Sequence, residues 1–499
     1  MELQFEKNVC RHLCQAVREV REQEQTQEIR LGDGMPDIGR VISAWGQAVL
    51  RSKEWRSDIV ILSGGIMVWV LYAPEDGTEP RCLEEWLPFR MKWDLPEQTQ
   101  EGQMRVKCLL RFVDGRNVSP RKIMVRCGVS ALMEALSPGE AEMYMPGQLA
   151  EDIQVLKRTY PVRLHREAGE KAFLLDEELT LPGSCPKPER LLYCTVQPVL
   201  MERKVVADRV VFRGNGNLHL LYRSQEGQLH TWDFELPFSQ LEQLQESYGG
   251  ESGVDVWLGV TSLETELDGE GHIRLKCGLV GQYLVDDRVM LELAEDAYCL
   301  TRELTAHIRD LEMPQILENR TENIYGEQTI QMDANVVIDC AFQPDFPRCR
   351  RTDSGITLEL PGQFQVLCYG ENGELKSGTA RWEGNLQLPA DEDSRMYADI
   401  RVQGRPQSLL GDGSVTVSGE ASLMLQSVSS RPLPMVTSLD LGEIREPDPG
   451  RPSLILRRAG EEELWNLAKR CGSTVEAIRV ANDLEEDPAP NRLLLIPVP

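Results

Sequence analysis

The residue types that do chemistry are present in this sequence, but not at the spacings chemistry needs. Ser184-Cys185-Pro186-Lys187 has the S-x-x-K spacing of a serine nucleophile with a lysine base, without the companion motifs of that class. Cys10, His12 and Cys14 cluster near the N-terminus, but the four-ligand spacing of a zinc site is missing. His12, His165, His219, His230, His272 and His307 are dispersed, and neither a phosphate-cradling glycine loop followed by lysine nor a G-x-S-x-G elbow occurs. No catalytic residue, metal ligand or cofactor is therefore assigned, and the chain reads as non-enzymatic. What does concentrate is negative charge. Glu461, Glu462 and Glu463 form one cluster, and Asp483, Glu485, Glu486 and Asp487 form another. Such loops attract a basic protein surface, gain little from a neutral sugar and repel an anionic polymer. On a plainer reading they are solvated, with the three glutamates favouring a helix N-terminus.

The elements that hold those loops are legible. Ser453 to Arg458 reads as a short strand, and Glu462 to Cys471 as a helix with Leu464, Leu467 and Ala468 at helical spacing. Gly472 fits a left-handed C-cap. Ser473-Thr474-Val475-Glu476 reads as a capping box in which Ser473 caps the next helix and Glu476 reaches back. That helix ends near Asn482, and Leu493 to Ile496 reads as a last strand, giving β-α-α-β over 453–499. Trp465 is expected in the small core rather than on a ligand. Upstream, Glu446-Pro447-Asp448-Pro449-Gly450-Arg451-Pro452 reads as a stiff linker over 446–452.

The rest of the chain alternates with period two. Met104, Val106, Cys108, Leu110 and Phe112 share one strand face, with Arg105, Lys107 and Arg111 on the other. Ile273 to Leu279 and Val415 to Ala421 alternate likewise. Each strand lies near an Asp-Gly pair suited to a tight hairpin, at 114–115, 268–269 and 412–413. Ile59 to Tyr72 reads as two strands broken at Ser63-Gly64-Gly65. Two stretches read as helical instead: the N-terminus, with Val9, Leu13, Val17 and Val20, and Thr301 to Leu311 before Pro314. The first is expected to pack on its domain or to serve as a partner-binding helix.

Anchors recur in one order. Val41 to Gln47, Leu191 to Gln197 and Val337 to Gln343 align, their glutamines 150 and 146 residues apart. Tyr72, Tyr222 and Tyr369 each precede a turn ending at Gly77, Gly227 or Gly373, and Leu-Pro pairs follow at 87–88, 236–237 and 388–389. The expected architecture is mainly β: three tandem sandwich- or barrel-like repeats over 1–145 (with the N-terminal helix), 146–300 and 301–445, then the linker and the βααβ module.

Composition agrees. The 499 residues carry 54 Lys and Arg against 80 Asp and Glu, a net charge of −26. Nucleic acid and anionic membrane surfaces need the opposite sign. No apolar run is long enough for a transmembrane helix, so no membrane insertion is expected. The N-terminus lacks a signal-peptide pattern, and 13 scattered cysteines fit a reducing cytosol.

Two resemblances sharpen this reading. Gly460, Leu464-Trp465-Asn466-Leu467-Ala468, Val475-Glu476-Ala477-Ile478, Asn482 and Leu495-Ile496-Pro497 resemble a LysM module, in which the loops around Gly460 to Trp465 and Asn482, Asp483 and Leu484 would hold N-acetylglucosamine polymers or dock a protein. This copy has one residue more than the family's Gly-Asp-Thr/Ser-Leu-Trp and lacks its hydroxyl. Glu28 to Val41, with Asp33-Gly34-Met35-Pro36-Asp37 and Arg40, is similar to the opening signature of the SPOCS domain, also called DUF3794. On its own residues the signature reads as a Gly/Pro turn with Asp33 and Asp37 capping backbone amides and Arg40 beginning a strand. The second repeat keeps only its prolines, at Pro182 and Pro186, and the third lacks it. SPOCS repeats with a terminal LysM resemble the SipL-like proteins of anaerobic spore formers. That resemblance implies a spore-coat scaffold in the mother-cell cytoplasm at the forespore surface, with the LysM module engaging the coat-basement ATPase SpoIVA. A peptidoglycan-binding protein of wall or cortex is the alternative.

Overall fold

The computed structural model describes residues 2–353, 355–389, 393–429, 431–445, 450, 452–460, 462–484 and 491–498. Of the features read from sequence, linker residues 446–449 and 451, Glu461, Glu485, Glu486 and Asp487 lie outside the described residues. The protein is mainly β.

One pairing scheme occurs three times. In the first strand group, β1 (Glu2–Gln4) is followed by β2 (Glu6–Arg30), the sheet β3 (Ile38–Arg56), β4 (Ile59–Pro74) and β5 (Arg81–Asp94), then β6 (Gln103–Ser119) and β7 (Lys122–Met145). β2 pairs antiparallel with β7 from Glu6 opposite Met145 to Arg30 opposite Lys122, and β6 pairs with β7. In the second group β8 (Ile153–Thr180) plays the part of β2. It precedes β9 (Pro188–Ser224) and β10 (Leu229–Tyr248), then β11 (Gly253–Leu267) and β12 (His272–Cys299), and it pairs with β12. In the third, β13 (Arg302–Leu311) precedes β14 (Gln315–Gln331). The sheet of β15 (Val336–Pro344), β16 (Arg348–Thr352), β17 (Gly355–Tyr369) and β18 (Leu375–Leu388) follows, then β19 (Ser394–Gly411) and β20 (Ser414–Ser429). β14 pairs with β20. Finally β21 (Leu433–Ile444) takes β13 on one side and β1 on the other, tying the N-terminus to the end of the third group. Gly77, Gly227 and Gly373 sit at equivalent turns with φ of 72°, 86° and 78°, a region where a side chain is strained.

The groups share structure at their centre. β2 meets β8 where Leu13 lies opposite His165, and β8 meets β14 where Val162 lies opposite Gln315, so one nine-stranded sheet runs through all three. One core holds Trp45 and Trp69 of the first group, Tyr193 and Leu221 of the second and Leu367 of the third. Trp45 stacks on Tyr193 at 4.4 Å. Ser43, Tyr193 and Asp339 stand at equivalent places in the three aligned segments. Ser43 accepts from Gln365 at 2.9 Å, and the Tyr193 hydroxyl donates to Asp339.

Four expectations are corrected. The N-terminal stretch is the long strand β2, not a helix. Its alternation is disguised by a bulge between Gln15 and Val17, which switches the face its side chains occupy. Cys10, His12 and Cys14 consequently share a face, and the Cys14 thiol lies 3.3 Å from His12 Nε2. The stretch from Thr301 to Leu311 is also no helix: Arg302–Leu311 forms β13, where half-buried Arg302, Leu304 and Ala306 alternate with exposed neighbours. Ile59 to Tyr72 belongs to the single strand β4. A Cβ on Gly64 would lie 2.5 Å from Val49 O and one on Gly65 2.1 Å from the Trp86 ring, so the glycines admit close neighbours rather than break the strand. Asp114-Gly115 lies inside β6, whereas Asp268 does make a hairpin turn: its carboxylate accepts the amides of Glu270, Gly271 and His272. The 13 cysteines form no disulfide.

Candidate functional site: the C-terminal module and the signature turn

The module consists of β22 (Leu454–Arg458), α1 (Leu464–Cys471), α2 (Val475–Asn482) and β23 (Leu493–Pro497), with β22 antiparallel to β23. Local chemistry explains its boundaries. Gly472 takes φ 59° and ψ 42° at the C-cap of α1. The N-cap of α2 is Thr474, whose hydroxyl accepts from Ala477 N at 3.0 Å, not the expected Ser473. Ser473 is buried and donates instead to Pro497 O, closing the helix turn onto the last strand. Leu464, Trp465, Leu467, Ala468, Ile478, Leu494 and Ile496 form the core.

That core is shared with the second strand group. Tyr298 on β12 packs edge-on against Trp465 with ring centres 4.8 Å apart, and its hydroxyl donates to Ser473 O at 2.8 Å. Trp465 Nε1 donates to Asp296 Oδ2 at 2.8 Å, and Lys469 Nζ reaches both Asp296 oxygens at 2.8 and 2.7 Å. Arg158 on β8 bridges Glu295 at 2.9 Å and Glu463 at 2.5 Å. Burial, with the Asp296 charge adding to it, pushes the Tyr298 hydroxyl up to about 12, so it stays a donor at neutral pH.

The expected loop residues therefore divide. Trp465 is core, as expected. Asn482 is structural: its side chain donates to Ile478 O at 2.7 Å and Leu495 O at 2.6 Å and accepts from Leu495 N at 2.8 Å. Leu484 packs against the module core, Glu463 is held by Arg158, and Glu462 pairs with Arg470. Gly460 and Asp483 are exposed. Arg158, Asp296 and Tyr298 were missed because no local pattern marks them; they lie more than 165 residues from their partners in the module. We expect Asp296→Ala to loosen the module: losing two charge-assisted bonds costs about 2–4 kcal/mol of docking. The readout is faster proteolysis at 446–452 with a red shift in tryptophan emission, and unchanged proteolysis would refute it.

At the signature, Met35 N bonds Gly32 O at 3.0 Å to close a turn. Cys185 N bonds Pro182 O at 2.8 Å in the same place of the second group, without the Asp-Gly-Met residues. Pro36 O accepts the Tyr72 hydroxyl at 3.3 Å. The expected capping by Asp33 and Asp37 is corrected. Asp33 is exposed and makes no side-chain hydrogen bond among the described residues, while Asp37 Oδ1 accepts from Arg121 at 3.0 Å. Arg121 also donates to the carbonyls of Met35 at 2.6 Å, Gly32 at 2.8 Å and Leu31 at 3.3 Å. Arg40, inside β3, donates to Leu375 O of the third group at 3.0 Å. Gly34 occupies open space. Removing the clamp by Arg121→Ala is expected to cost about 1–3 kcal/mol, read as a lower urea midpoint; an unchanged midpoint would show the turn holds itself.

Residues 187–268 match a family model described as "SipL, SPOCS domain". The match falls on the second strand group, spanning all of β9 to β11. A curated protein from Rubrobacter xylanophilus, described as ribose import ATP-binding protein RbsA 3, is 28% identical over 141 residues. That covers 28% of this chain and 26% of the relative, so the chain spans about a quarter of its length. No solved structure matches. Among the described residues no helix is long and apolar enough to cross a membrane.

Proposed function

We propose that this chain is a non-enzymatic sporulation scaffold in which each of the three strand groups is a SPOCS unit and the βααβ module is a LysM domain. The module docks a coat-basement ATPase of the SpoIVA kind, so that coat proteins are recruited around the forespore from the mother-cell cytoplasm. The SPOCS match at 187–268 carries this reading. The recurrence of one pairing scheme, and anchors in common register, support extending it to the other two groups. The chain contains no phosphate-loop motif of an ATP-binding cassette, so its likeness to the ribose importer is not taken as a nucleotide site. Protein docking is preferred to glycan binding because Trp465 and Asn482 are engaged inside the protein. A fluorescent fusion followed through sporulation tests the reading. A ring at the forespore surface is expected, and a signal spread through the cytoplasm or along the vegetative wall would overturn it.

A further inference from the structure

The two strands of the module carry leucines on both faces. Ile455, Leu494 and Ile496 point to the helices and join the core. The opposite face holds Leu454 and Leu456 on β22 and Leu493 and Leu495 on β23, with 52%, 59%, 53% and 38% of their surfaces exposed. The register sets Leu456 opposite Leu495, Leu493 opposite Arg458 and Leu454 opposite Pro497, so the four leucines form one patch. A surface strand face ordinarily carries polar residues. An apolar patch that survives in a chain this charged marks a contact surface. The patch is also the side free to meet another molecule, because α1 and the residues flanking it, Glu463 and Ser473, are what touch β8 and β12.

We propose that this leucine face, rather than the acidic loops, is the surface by which the module docks, and that its occupant is an amphipathic helix of a partner protein whose apolar stripe is flanked by carboxylates. The inference rests on the docking function proposed above and names its surface. Charge selects the partner. Arg458 shares the face, Arg457 precedes it, and neither has an ion-pair partner among the described residues. A second copy of the chain fits poorly, because pairing this face with itself would bring together two chains that each carry a net charge of −26. Size selects the helix. Five residues of strand span roughly 17 Å, the length of about three helical turns.

The test measures binding of the full chain to the purified coat-basement ATPase by biolayer interferometry, for the wild type, Leu456→Glu/Leu495→Glu, Leu456→Ser/Leu495→Ser, Arg458→Glu and the loop variant Glu462→Ala/Asp483→Ala. Circular dichroism and melting confirm folding; the serine pair keeps the test open should the glutamate pair misfold. At least tenfold weaker binding by a folded leucine variant, several-fold weaker binding by Arg458→Glu and an unchanged loop variant are expected. A wild type that binds, with leucine variants that bind equally well, overturns this inference alone. A wild type that does not bind overturns the docking function and this surface with it.

Discussion

Glu134→Ala is expected to destabilise the protein more than Asp296→Ala or Arg121→Ala, by about 3–5 kcal/mol, the cost of leaving a buried charge without its partner. The Glu134 and Arg105 side chains are only 1% and 3% exposed, with Arg105 Nε 3.0 Å from Glu134 Oε2. Arg18 adds a contact to Oε1 at 3.2 Å. Arg105 continues to Asp255 of the second group at 3.2 Å and lies 4.3 Å over the Trp257 ring, while Arg18 lies 4.5 Å over Tyr397 of the third. Burial alone would raise both carboxyls. The guanidiniums outweigh it, holding Glu134 below its ordinary range and Asp255 down to about 2. The network thus binds all three groups along a cavity of about 1000 Å³. Urea unfolding of wild type and Glu134→Ala checks this. Equal midpoints would mean that the groups are held by their apolar core alone.

Acidification should weaken the same junction before ordinary carboxylates titrate. His165, opposite Leu13, is half-buried, with its Nδ1 shut off from solvent and without a hydrogen-bond partner among the described residues. Burial pushes its pKa down from 6.5 to about 4, against the opposing pull of Glu134. A depressed histidine stays neutral in the native state while the unfolded chain takes up a proton. Its stabilising contribution is full above pH 6.5 and is lost as pH falls toward 4, reaching about 3 kcal/mol at pH 4.5. Unfolding free energies of wild type and His165→Gln at pH 7 and 4.5 are the check. The variant should lose about 3 kcal/mol less; parallel losses would remove His165 from the account.

How much of this could be read beforehand depends on the range of the forces involved. The ends of α1 and α2 were legible because Gly472 and the residues around Thr474 act within one turn, and even there the cap fell one residue from expectation. Strand faces such as Ile273, Leu275, Cys277 and Leu279, all wholly buried, followed from alternation. The role of the charged face of β6 was hidden for the opposite reason. Arg105, Lys107 and Arg111 look like a solvated face, yet they pair with Asp255, Asp399 and Asp345, 150 to 292 residues away. Much of the positive charge in this acidic chain is used inside it, joining one strand group to the next. The candidate site repeats the lesson. Its loops announced themselves by carboxylates, whereas Asp296, Tyr298 and the leucine face emerge only when the module is set against β8 and β12.

One measurement separates docking from wall binding: the full chain titrated against the purified coat-basement ATPase, with parallel sedimentation against purified peptidoglycan. Saturable binding to the ATPase at micromolar or tighter concentration (about −8 kcal/mol), with the chain left in the peptidoglycan supernatant, is predicted. Co-sedimentation with peptidoglycan and no binding to the ATPase would contradict it.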